Sequence, residues 1–120
     1  MNRTVVFYRA ASGCPFENFL DSLPGRIAKK ITWLLAAIEE LETVAELCFR
    51  RVRLHEDIQE CYVSYGDAVF RILCFFYKRD IVILWGGLCV KFPDILEEQL
   101  NRAIRYRNDF LLQKGSVWAT

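Results

Sequence analysis

This chain has no run of about 18 uninterrupted apolar residues, the length a membrane-spanning helix needs, so no span is expected. It has almost no excess of one charge: 16 lysines and arginines stand against 15 acids, a formal net charge of +1. Strong non-specific nucleic-acid binding requires a broad basic field, so the charge balance argues against that mode, although it does not exclude a small local basic site. The five cysteines are odd in number and show no CxxC spacing. No long apolar stretch of the secretory kind follows Met1. These absences point to reduced thiols in a cytoplasmic protein, not to a disulfide framework or a zinc site. Internal repeats, low-complexity tracts and linkers are also missing. His55 is the single histidine and the only histidine candidate for a general base.

What is present is an apolar chain, 53% hydrophobic, of a length suited to one compact domain. Residues 1–112 are expected to form that domain and residues 113–120 a tail. Thr4 to Arg9 is β-branched and aromatic and predicts a strand. Pro15 to Leu23 predicts a short helix, with Pro15 tolerated in the first turn. From Arg26 to Glu42, Ile27, Ile31, Leu34, Ile38 and Leu41 recur every three or four residues, which gives a helix with one core-facing side. Lys29, Lys30, Glu39 and Glu40 fall elsewhere on it, in solvent. Phe49 to His55 alternates, with Arg51 and Arg53 on one side and Val52 and Leu54 on the other, and suits an edge strand closed by a turn at Glu56 and Asp57. Asp94 and Glu97 resemble a capping box. It would open a helix carrying Ile95, Leu96, Leu100, Ala103 and Ile104 inward as far as Leu112, with Glu98 and Arg102 paired on its surface.

Between these lies Ile58 to Cys89, three strand-like segments joined by Gly66-Asp67 and Lys78-Arg79. The Gly-Asp turn sets a register of Tyr65 with Ala68, Val63 with Phe70, Tyr62 with Arg71 and Cys61 with Ile72. A two-residue second turn would set Ile72 against Trp85 and Arg71 against Gly86. Alternation then divides the sheet. One face collects Cys61, Val63, Phe70, Ile72, Cys74, Phe76, Ile81, Ile83, Trp85 and Cys89, and is expected to carry the helices. The other collects Glu60, Tyr62, Ser64, Val69, Arg71, Leu73, Phe75, Tyr77, Val82, Leu84 and Gly86. Arg71 is the one charge inside a strongly apolar strand. It either pairs with Glu60 diagonally across the hairpin or holds a phosphate in its fixed fork of donors. Glycine across from it would leave room for a ligand. The element order is β-α-α-β-β-β-β-α, an α+β fold with a small twisted antiparallel sheet.

Several local patterns resemble the RelE/HigB-like toxins of type II toxin–antitoxin systems, in their phage-derived HigB-like branch. FYRAASGCPFENFLDSLP is similar to that branch's first strand and helix. RVRLHEDIQECYVSYGDAVFRILCFFY is similar to its central run, with its E-L-R and Y-R-I strands, and PDILEEQLNRAIRYRNDF to its closing helix. The resemblance implies helices packed on one face of the sheet and a metal-independent, cofactor-free endoribonuclease that cleaves mRNA on the ribosome. It also implies a cognate antitoxin of helix-turn-helix type. Arg71 matches the arginine of Y-R-I, with Phe70 in place of the tyrosine, and Glu60 matches the glutamate of E-L-R. Tyr62 stands where that motif has arginine. The family's paired lysines are missing, leaving Lys91 as the nearby cation. The resemblance therefore implies Arg71, Glu60, Tyr62 and Lys91 as catalytic residues, while Arg51 and Arg53 with Arg102, Arg105 and Arg107 form an RNA-facing rim, meet acidic residues of an antitoxin, or are simply solvated.

Two other classes compete with a toxin. One is a catalytically degenerate module of the same fold that acts through protein–protein contacts, motivated by the missing cations. The other is an oligomerising domain, motivated by Val69, Leu73, Phe75, Val82 and Leu84 if that face is open.

Overall fold

The computed structural model describes residues 3–41, 48–52, 55–89 and 95–115. In chain order the elements are β1 (Thr4–Phe7), α1 (Pro15–Asp21), α2 (Gly25–Glu40), β2 (Arg50–Val52), β3 (His55–Tyr65), β4 (Ala68–Tyr77), β5 (Asp80–Leu88) and α3 (Glu97–Gln113). The expected turn at Glu56 and Asp57 is absent, because β3 already begins at His55 and pairs there with Val52. Asp94 lies outside the described residues. Leu96 precedes α3 without a side-chain cap, and Glu97 and Glu98 occupy its first turn, where the helix dipole favours carboxylates.

The five strands form one sheet in the order β1-β5-β4-β3-β2. Gly66, at φ 60, makes the tight turn that joins β3 to β4, and the Gly-Asp register holds throughout: Tyr65 faces Ala68, Val63 faces Phe70, Tyr62 faces Arg71 and Cys61 faces Ile72. At the second turn Lys78 takes φ 55, a left-handed conformation that side chains other than glycine adopt at a cost. Two expectations are corrected. The sheet is mixed, since β1 runs parallel to β5, from Thr4 beside Asp80 to Phe7 beside Ile83. β4 occupies one edge of β5, and the other is filled by the strand that enters before the helices.

The second correction concerns the faces. Helices cover both, not one. Phe16 of α1 and Ile31, Leu35 and Ile38 of α2 pack on Ile72, Cys74, Ile81 and Ile83. Leu100, Ala103 and Phe110 of α3 pack on Leu73, Phe75, Val82 and Leu84. Apart from Arg71, strand β4 is apolar on both sides, so each side must be removed from water, at roughly 25 cal/mol for each Å² buried. The apolar set that suggested an oligomerising face is thus mostly buried beneath the protein's own last helix.

β5 carries a bulge. Leu73 faces Trp85 but Cys74 faces Ile83, so Leu84 is an extra residue with no partner across the ladder. From there to its end the strand's alternation is reversed. Ile72 faces Gly86 and Arg71 faces Gly87, one residue on from the expected register. Trp85 joins the α3 side. Gly86 lies against α1, where an added Cβ would stand 2.7 Å from the Phe19 ring.

Candidate functional site beneath the last helix

Antiparallel pairing of β3 with β4 places Tyr62 directly beside Arg71 and Glu60 beside Leu73, all on the face that α3 covers. Glu60 and Tyr62 are two residues apart, so period-two alternation points both the same way. The Tyr62 hydroxyl donates to Glu60 Oε1 at 2.7 Å. Arg71 Nη2 donates to the Tyr62 oxygen at 3.3 Å, and Nη1 donates to Gln99 Oε1 of α3 at 3.1 Å. Arg71 Nε lies 3.0 Å from Glu60 Oε2. That contact is a close pairing of charges but is not aligned as a hydrogen bond. The guanidinium carbon also sits 5.3 Å from the centre of the Tyr62 ring.

Burial governs the chemistry. Arg71 is 2% exposed and Glu60 9%. A charge this deep is tolerated because its opposite is in contact with it. Burial pulls the arginine toward neutrality. Its hydrogen bond to Tyr62 and the neighbouring Glu60 carboxylate outweigh that, so its pKa ends raised and it is a fixed cation. Burial also raises the Tyr62 phenol, and the Glu60 hydrogen bond adds to the rise while Arg71 opposes it. Tyr62 is therefore a proton donor and not a phenolate.

No family model, curated protein or solved structure matches this chain.

Of the residues singled out in the sequence, Glu60, Tyr62 and Arg71 come together. Lys91 and Arg53 lie outside the described residues, as does the side chain of Arg51, whose backbone pairs with Gln59. Arg105 is exposed on α3, and Arg107 pairs with Asp57 at 2.7 Å. Arg102 does not reach Glu98. It lies over the Trp85 ring, 5.1 Å from its centre. A glycine does stand across from Arg71, but it is Gly87, and the space above it holds Trp85: an added Cβ would meet that ring at 2.6 Å. The room expected for a ligand is filled. Because of the bulge, Cys89 belongs to the Arg71 face too, its backbone N–H bonded to the Val69 carbonyl at 2.7 Å.

Sequence reasoning missed Gln99 and Trp85. Gln99 adjoins Leu100 on the covered side of α3, a usable signal once that helix is known to cross the Arg71 face. Trp85 required knowledge of the bulge. A separate cavity of about 350 Å³, between Asp57, Gln59, Phe75, Tyr77 and Arg107, does not include the Arg71 cluster.

Proposed function

We propose that this protein is the toxin of a type II toxin–antitoxin pair, a RelE/HigB-like, metal-independent endoribonuclease that acts on mRNA at the ribosome and is neutralised by a helical antitoxin. The observation that carries the reading is the Glu60–Tyr62–Arg71 contact set. It brings a carboxylate, a protonated hydroxyl and a fixed cation within 3.3 Å steps of one another. Self-cleavage of RNA needs those three functions. Glu60 takes the proton of a ribose 2′-hydroxyl, which attacks the adjacent phosphorus. Arg71 holds the charge that builds on the phosphoryl oxygens. Tyr62 gives its proton to the departing 5′-oxygen. The products carry a 2′,3′-cyclic phosphate and a free 5′-hydroxyl.

Gln99 stands on Arg71, so an RNA phosphate reaches the guanidinium only when the first turns of α3 move off it. Expression of the protein should arrest growth, and Tyr62→Phe, which keeps the ring's packing, should slow cleavage by about 10²-fold or more. Cleavage of ribosome-bound mRNA that is equally fast in the parent and in Tyr62→Phe would remove Tyr62 from the chemistry. Cleavage that also survives Arg71→Lys would put the active site elsewhere, and absence of cleavage by the parent would end the nuclease reading.

The burial of Arg71 favours a second reading, a module of the same fold that binds a protein and has lost catalysis. Intact mRNA together with a stable complex with the neighbouring gene's product would select it.

A further inference from the structure

The exposed face of α2 carries a feature that the site beneath α3 does not use. Arg26, Lys29, Lys30 and Trp33 are spaced three and four residues apart, so they form one continuous strip on the helix. All four are exposed, and Trp33 is 68% exposed, the most of any large hydrophobic side chain described. The Lys29 ammonium sits 5.3 Å from the centre of the Trp33 ring. The Lys30 ammonium sits 5.7 Å from the centre of the Tyr65 ring and donates to the Ser64 carbonyl. The turn at the end of β3 therefore extends the strip with a second exposed aromatic ring.

Two further facts separate this strip from an ordinary solvated helix face. Among the described residues, none of its three cations has a carboxylate partner. They also occupy the first half of α2, whose first turn contains no acid. The helix dipole disfavours cations at that end. Three unpaired positive charges are gathered here in a chain whose net charge is only +1. Packing does not require Trp33, since the core side of α2 is made by Ile31, Leu35 and Ile38.

We infer that this strip is a platform for single-stranded nucleic acid, in which Arg26, Lys29 and Lys30 track the phosphates and the Trp33 and Tyr65 rings stack on bases. Cations alternating with exposed aromatic rings are the combination that such strands need. An acidic peptide would satisfy the charges but would leave Trp33 and Tyr65 without a flat partner.

The test uses the full chain and a short fluorescein-labelled oligodeoxyuridylate, with anisotropy followed against salt. The probe has no 2′-hydroxyl and cannot be cut, so failure of the platform and failure of the nuclease reading are seen separately. Three phosphate contacts give a slope of log K against log salt of about −2. Trp33→Ala should weaken binding about fivefold or more. The double variant Lys29→Glu with Lys30→Glu should abolish binding, and the control Lys114→Glu should leave it unchanged. Circular dichroism shows whether each variant is folded, which exposed helix positions are expected to be. The inference is overturned by absence of binding at low salt, by binding that Trp33→Ala and the charge reversals leave intact, or by tighter binding of a polyglutamate peptide than of the oligonucleotide.

Discussion

At the residue scale the decisive pair is Glu60 and Arg71, at 3.0 Å and almost wholly buried. Removing one member strands the other. Arg71→Ala is expected to cost about 3–5 kcal/mol in chemical denaturation, and the double variant Glu60→Leu with Arg71→Met much less, because an apolar pair leaves no charge behind. If the single and double variants are equally unstable, the two charges are not coupled. Cys61 offers a pH test. Burial, with Cys48 next to it, pushes the thiol from its usual 9.0 up to about 12. The unfolded chain therefore releases this proton first. Its contribution is fully present below pH 9 and is lost as pH rises toward 12, so the denaturation midpoint should fall over that window and fall less steeply in Cys61→Ala. The sequence exposed the Glu60–Arg71 diagonal because a charge in an apolar strand and a two-residue turn are both local signals. It could not expose Gln99, whose contact depends on which face a distant helix covers.

At the scale of elements, the β3–β4 hairpin was legible from Gly66 and Asp67, and Gly66→Ala should destabilise the fold by about 1–2 kcal/mol, because φ is 60 there. The bulge in β5 was not legible. DIVILWGGL is apolar almost throughout, so it contains no alternation from which an extra residue stands out. Its effect is testable at Gly86. A methyl group there meets Phe19 at 2.7 Å and Phe16 at 3.3 Å, and Gly86→Ala is expected to lower stability by about 1–3 kcal/mol by thermal melting. Had the regular register held, Gly86 would face α3 and its substitution would disturb the Arg71 side, not the seam with α1. The apolar stripe of α3 was visible, but which face of the sheet it covers was not, since that choice depends on two surfaces that are both apolar.

For the whole molecule, α3 is both a wall of the core and the cover of the Arg71 cluster. It is fastened along its length by Gln99 to Arg71 at 3.1 Å, by Arg107 to Asp57 at 2.7 Å and by Asp109, which accepts from the buried Tyr8 hydroxyl at 2.5 Å. A chain ending before Glu97 should expose Leu73, Phe75, Val82 and Leu84, bind a hydrophobic dye and lose its cooperative melt. A sharp, dye-free transition in that chain would show that α3 is an accessory. The parallel neighbour of β1 was beyond sequence reading, because four residues, TVVF, carry no mark of their partner. That pairing sets an order of events as the protein is made. Thr4 meets Asp80, so β1 has no edge to join until the meander that follows it in the chain has been made. The hairpins of β3, β4 and β5 can close as they emerge, whereas β1 and Tyr8 wait for the far end of the chain. Late closure of the amino-terminal edge, visible as slow protection of the Val5 to Tyr8 amides in pulse-labelled refolding, is the expected kinetic signature.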